Sequence, residues 1–310
     1  MIEKEALNWL SEKLNIQNLA LIEKDLFLQG LLNELSKSAY FSGHFVFKGG
    51  TCLTKAYFGY YRFSEDLDFT WMDNKFFEGK TENQIRKMLS NEINGIMELF
   101  ETATKKLELD FRPEKANMHY VQLGGSNRFA TFKFWYTPAE SEKETFLKIQ
   151  LNFVEKIFHA PQKHVLHAIA KEYAKDFQYL YPASASMATH SPMLSCYDLK
   201  EIAAEKIRAL LTRRGFKARD IIDVYMLHKK GITLASVKAM AFEKTQFMLK
   251  YLKYAENLNH KHFDENFRLG EEQNLFVKQP GKDFKAFTQK TLKALNTMAE
   301  EFRQKIREKK

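Results

Sequence analysis

Asp66 and Asp68 stand two residues apart in Ser64-Glu65-Asp66-Leu67-Asp68-Phe69, a run whose alternation reads as a strand. Side chains two apart on a strand share a face, so both carboxylates project together while Leu67 and Phe69 enter a core. Two carboxylates held this close repel, and one is driven toward protonation unless a cation sits between them. Mg²⁺ suits such a pair, because it takes one or two carboxylates and fills its shell with phosphate oxygens and water. Mn²⁺ accepts the same oxygen donors. Alone, Asp-x-Asp also describes a solvated strand edge or a turn.

Upstream, Phe47-Lys48-Gly49-Gly50-Thr51 reads as a strand that passes through two glycines into a helix. Glycines let a phosphate approach the backbone, and a helix start offers unpaired N–H groups and a positive dipole end. Thr51 adds a hydroxyl and is placed to cap the helix. A tight turn would use the same glycines. Arg62 and Ser64, just before the carboxylates, are candidates for phosphate contact, and Arg62 is equally readable as a surface residue. A third group lies later: Glu205-Lys206-Ile207-Arg208, then Arg213-Arg214, then Ala218-Arg219-Asp220-Ile221-Ile222-Asp223. Asp220 and Asp223, three apart, share a helical face where Lys206 on a neighbouring helix could pair with them.

The elements that position these groups follow from periodicity. Ile2–Leu14, Leu19–Phe41, Thr51–Phe58 and Glu82–Leu109 repeat their apolar residues at helical spacing. Phe45–Phe47, Ser64–Trp71, Arg128–Tyr136 and Thr145–Val154 have strand character. Tyr181–Pro192, with Pro, Ser and Ala, reads as a linker. Beyond it, 197–213, 218–229, 234–257 and 283–308 are helical in pattern. The fold class is therefore α+β (α/β): a domain over 1–180 with a small mixed sheet flanked by helices, followed by a helical domain over 181–310.

The 310 residues are 45% hydrophobic, with 27 Phe, 13 Gly and 6 Pro, so a sizeable core is available and long disorder is not expected. The formal net charge of +9 favours polyanions such as nucleic acid or nucleotides, and acidic protein partners. Stretches 200–230 and 282–310 each carry more than twice as many Lys/Arg as Asp/Glu, with Phe216, Phe284 and Phe287 interleaved. That pattern suits a single-stranded or tRNA-like end, and also ordinary surface helices. Cys52 and Cys196, far apart in sequence, suggest inert thiols in a reducing compartment. Neither a signal-peptide pattern nor an uncharged apolar run near the length of a membrane span is visible, so a soluble cytoplasmic protein is expected.

Phe47 to Leu53 and Arg62 to Phe69, with the Lys206 and Arg219-Asp220-Ile221-Ile222-Asp223 blocks, resemble the signature of the AbiEii family. Its members have a nucleotidyltransferase fold and act as toxins of type IV toxin–antitoxin and phage-abortive systems. Glu23-Lys24-Asp25 also resembles a family element. The resemblance spans roughly residues 20–230. It implies that Lys48, Gly49, Gly50 and Thr51 hold a nucleoside triphosphate and that Asp66 and Asp68 hold Mg²⁺ or Mn²⁺. It further implies that Lys206 contacts nucleotide phosphates, Asp220 completes the catalytic group, RNA such as a tRNA 3′ end is an acceptor, and a cognate antitoxin exists. One departure stands out: where a third carboxylate is expected, in Lys148-Ile149-Gln150-Leu151-Asn152, the residue is Gln150. A binding regulator with weak or lost catalysis therefore stays beside the active transferase, as does a transferase acting on a protein or small molecule.

Overall fold

The alternating runs of the sequence become strands, and their apolar faces gather the phenylalanines. The structure, a computed structural model, describes residues 2–73, 75–264, 270 and 274–308. In chain order come α1 (Lys4–Leu14), α2 (Leu19–Lys37), α3 (Ala39–His44), β1 (Phe45–Lys48), α4 (Gly49–Cys52), a π-helix over Leu53–Phe58, and β2 (Asp66–Trp71). Then follow α5 (Glu82–Lys106), β3 (Val121–Gly124), β4 (Phe129–Tyr136), β5 (Thr145–Asn152), β6 (Gln162–Val165), α6 (Ala174–Leu180), α7 (Ala185–Thr189) and β7 (Met193–Cys196). The helices after β7 are α8 (Leu199–Thr212), α9 (Ala218–Lys229), α10 (Leu234–Met248), α11 (Leu252–Asn259) and α12 (Phe284–Glu308).

Two compact units result, one of Met1–Ile157 with Pro161–Tyr197, the other of Phe158–Ala160 with Asp198–Lys310. The boundary thus falls beyond the segment Tyr181–Pro192 read as a linker. That segment contains α7, and β7 after it joins the sheet of the first unit by pairing with β1 and β6. Strands β3, β6 and β7 were not legible, being four residues each and polar or mixed in pattern. The helix read over Leu19–Phe41 divides at Ser38, whose hydroxyl caps α3 by accepting from the Phe41 N–H at 3.2 Å. Likewise 234–257 divides into α10 and α11. No helix among the described residues is long and apolar enough to cross a membrane.

The strands of the first unit form one mixed sheet in the order β3-β4-β5-β2-β1-β7-β6. β1 runs antiparallel to β2, and β2 parallel to β5. Paired positions share a face. Phe47 pairs with Phe69, and Phe69 with Leu151, on the buried face. There Phe41 of α3 meets Phe69 at 5.0 Å, and Phe100 of α5 meets Phe132 at 4.9 Å. Such edge-on aromatic pairs add to the burial of apolar area that holds the helices on the sheet. The opposite face carries the polar set, because Lys48 pairs with Asp68, Asp68 with Gln150, and Asp66 with Lys148.

Helix α2 is tied to the elements around that polar face by three consecutive residues. Glu23 accepts the Ala139 N–H at 3.1 Å, ahead of β5. Lys24 pairs with Glu65 at 2.9 Å, immediately before β2. Asp25 pairs with Lys55 of the π-helix at 2.9 Å and accepts the Tyr60 hydroxyl at 2.7 Å. Asp25 is 3% exposed and Lys55 fully buried. Burial pushes the Lys55 ammonium below its ordinary range even though Asp25 opposes the shift.

Removing one member of a buried ion pair strands the other, at a cost of about 3–5 kcal/mol, whereas replacing both is far milder. Lys55→Met should therefore lose about that much stability in urea denaturation, and Lys55→Met/Asp25→Leu distinctly less. Equal losses for the two variants would show that the pair is not what joins α2 to the π-helix.

Candidate functional site

At the end of β1 the chain must turn, and it does so on Gly49 with φ +79°, a conformation that side-chain-bearing residues rarely adopt. A Cβ on Gly49 would lie 2.4 Å from Asp68 Oδ2, so the missing side chain is also what lets that carboxylate lie against the loop. Gly50 is used the same way: its Cβ would meet Arg62 Nη2 at 2.3 Å and Ser64 Oγ at 3.1 Å. Thr51 does not cap the helix, which starts two residues earlier. Its hydroxyl instead donates to the Asp66 carbonyl at 2.5 Å, stitching the loop to the first residue of β2. Arg62 is not a surface residue: it is 1% exposed and donates through Nη1 to the Phe63 carbonyl at 2.7 Å.

Lys48, Gly49, Gly50, Thr51, Arg62, Ser64, Asp66 and Asp68 thus all gather around the β1–β2 pair. Asp66 and Asp68 are half-buried on the polar face, with Leu67 and Phe69 buried on the other. The cation the pair calls for has a protein counterpart, since Lys148 Nζ lies 3.1 Å from both oxygens of Asp66. Lys148 went unassigned in the sequence, because only the pairing of β2 with β5 places it opposite Asp66. Lys48 is 7% exposed, with Nζ 4.0 Å from Glu155 Oε2 and 5.4 Å over the Tyr197 ring.

Gln150 sits in register with Asp68, exposed, with its amide 3.5 Å from Thr131 Oγ1. Glu155 does not replace the missing carboxylate there. The strand ends at Asn152, whose side-chain amide donates to Glu155 at 3.0 Å, and Glu155 is 2% exposed. Among the described residues no three His, Cys, Asp or Glu side chains form a metal cage. Two carboxylates on one open face still fit a divalent cation whose remaining ligands come from a triphosphate and water.

The cysteines are both buried, and the fold brings them together. Burial, and then the neighbouring Cys196, pushes the Cys52 thiol well above its ordinary range, so it is chemically quiet.

Lys206 and Asp220 belong to the second unit, and there they meet. Lys206 Nζ is 2.8 Å from Asp220 Oδ1 and 2.6 Å from Asp223 Oδ2. Arg213 Nη1 reaches Asp220 Oδ2 at 2.7 Å. Burial alone would raise the Asp220 pKa, but the charges of Lys206 and Arg213 outweigh it and hold the carboxyl below its ordinary value. The same unit holds a second buried pair, Lys244 with Glu201 at 2.9 Å.

The profile of the family described as "Nucleotidyl transferase AbiEii toxin, Type IV TA system" matches residues 30–308. Among solved structures, the nucleotidyltransferase toxin MenT4 of Mycobacterium tuberculosis is 17% identical, with a TM-score of 0.57, covering 96% of this chain and 92% of its own. That likeness establishes a shared fold. JHP933 of Helicobacter pylori is 15% identical, with a TM-score of 0.39 over 98% of each chain. No curated protein matches the sequence.

Two outcomes follow from this geometry. Gly49→Ala should cost about 1–2 kcal/mol in chemical denaturation, from strain at a positive φ. Unchanged stability would mean that the turn relaxes freely. A depressed carboxyl stabilises the fold above its unfolded pKa of about 3.9, and that contribution disappears as pH falls through the lower native value. The stability advantage over Asp220→Asn should therefore be full near neutrality and shrink only below about pH 4. An advantage lost already near neutrality would contradict the pairing.

Proposed function

The chain belongs to the AbiEii family of nucleotidyl transferase toxins of type IV toxin–antitoxin systems, and from that premise we propose that it transfers a nucleotidyl group from a nucleoside triphosphate at the Gly49–Asp68 site. The observation that carries the reading is the joint built by Gly49 and Thr51. Asp68 is packed against the Gly49 backbone, and Thr51 is bonded to Asp66, so phosphate loop and carboxylates hold one fixed geometry.

In this reading the Gly49-Gly50-Thr51 backbone cradles the triphosphate, with the buried Arg62 supporting the loop from behind Gly50. Asp66 and Asp68 would hold the divalent cation, Mg²⁺ or Mn²⁺, which would neutralise phosphate charge and polarise the reacting phosphorus. Lys148, paired to Asp66 on the same face, would supply positive charge to the phosphates. Nucleotidyl transfer asks mainly for positioning and charge neutralisation, which is what these groups supply. Lys206 and Asp220 take the roles of the family's lysine and aspartate. The acceptor is RNA, such as a tRNA 3′ end, the neutralising partner is a cognate antitoxin, and the setting is the cytoplasm. Gln150 beside Asp68 favours one second reading, a chain that binds nucleotide with weak or no transfer.

Incubating the protein with bulk RNA and each α-labelled triphosphate tests the proposal. Wild type should label RNA, and Asp68→Ala, folded by circular dichroism, should lose at least about a hundredfold in rate. Undiminished labelling by the variant would overturn the assignment. Label appearing on protein alone would exclude RNA as acceptor, and nucleotide binding without any labelling would select the second reading.

A further inference from the structure

The polar face that bears Asp66 and Asp68 continues across β5 and β4, and there it changes character. Lys148 opposite Asp66 is itself opposite Lys133, and one step along the same face Trp135 pairs with Phe146. All four are half-buried. The Trp135 and Phe146 rings lie 4.7 Å apart, and Lys133 Nζ stands 5.3 Å over Phe146. His119, exposed, stacks on the Trp135 ring at 4.1 Å with an interplanar angle of 4°. The indole N–H is fixed by the His119 carbonyl at 3.1 Å, so the stack is held rather than loose. None of these residues serves the apolar core, which is on the other face of the sheet.

The position of this stack decides what it would hold. The phosphate loop leaves β1, and the strand order is β4-β5-β2-β1, so the carboxylates lie between loop and stack. In phosphoryl-type transfer the entering oxygen and the leaving group stand roughly in line across the phosphorus. With the triphosphate tail on the Gly49–Thr51 side, the acceptor enters from the β5–β4 side. An aromatic surface flanked by lysines is the chemistry that grips an unpaired nucleobase and its phosphates. We propose that His119, Trp135 and Phe146, with Lys133, form an acceptor subsite that stacks the unpaired terminal base of a single-stranded nucleic acid. The subsite rests on the nucleotidyl-transfer reading for its orientation, and its test is made without catalysis.

Fluorescence anisotropy of the full chain with an end-labelled single-stranded RNA of about ten nucleotides reads the subsite directly. Trp135→Ala should weaken binding roughly tenfold, Trp135→Phe should restore most of it, and His119→Ala, at an exposed position, should weaken it without risk to the fold. Binding of a triphosphate, followed by competition with a fluorescent nucleotide, should be unchanged in all three. Unaltered RNA affinity in Trp135→Ala and His119→Ala, or equal loss of triphosphate and RNA binding, would overturn the proposal. RNA transfer that proceeds with an unchanged acceptor KM in these variants sinks the subsite and leaves the transferase standing. Trp135-dependent RNA binding without any transfer does the reverse.

Discussion

Asp68 reaches its place by lying against a backbone that has no side chain. The antiparallel pairing of β1 with β2 sets Lys48 opposite Asp68, and Gly49, next in line, turns away with a positive φ. Any larger residue there would meet the carboxylate oxygen well inside contact distance. The rest of the first unit keeps that register. The phenylalanine face fixes β1 and β2 against α3, and a one-residue slip would send both aspartates into it. The Asp25–Lys55 pair and the Lys24–Glu65 pair then tie α2 to the π-helix that follows the loop and to the start of β2.

Electrostatics on the polar face are balanced in a way that leaves room for a ligand. Lys148 at Asp66 is partly exposed, and pairs of that kind contribute at most about 1 kcal/mol. A divalent cation at Asp66 would therefore displace it at small cost. The pairs deeper in the fold differ. Lys55 with Asp25, and Lys206 with Asp220 and Asp223, are buried and hydrogen-bonded, so breaking them costs far more than forming them gains. The fold thus separates deeply buried ion pairs from a partly exposed one at the candidate site.

Much of this arrangement was legible in the sequence, and the misses share a cause. Asp66 and Asp68 on one face of a strand follow from period two alone, and the mixed half followed by helices follows from periodicity. Thr51 was assigned to a cap because the helix start was placed at Thr51, but the π-helix and the early start at Gly49 freed its hydroxyl for Asp66. Arg62 read equally as a phosphate contact or as surface, because nothing in sequence reveals that Gly50 opens a slot for a guanidinium. Lys148 and the Trp135–Phe146 pair depend on which strands are neighbours, β2 with β5 and β5 with β4, and pairing order is not written in any local run. Tyr181–Pro192 had linker composition, yet β7 just beyond it returns to the sheet of the first unit.

The weight of the functional reading falls on Asp66 and Asp68 as ligands of a divalent cation shared with a triphosphate. Electron paramagnetic resonance of Mn²⁺ titrated into the protein, with and without a non-hydrolysable nucleoside triphosphate, measures that sharing directly. Wild type should bind Mn²⁺ weakly alone and much more tightly once the triphosphate is present, and Asp66→Asn and Asp68→Asn should each lose the tight phase. A tight phase that persists unchanged in both variants would contradict the site.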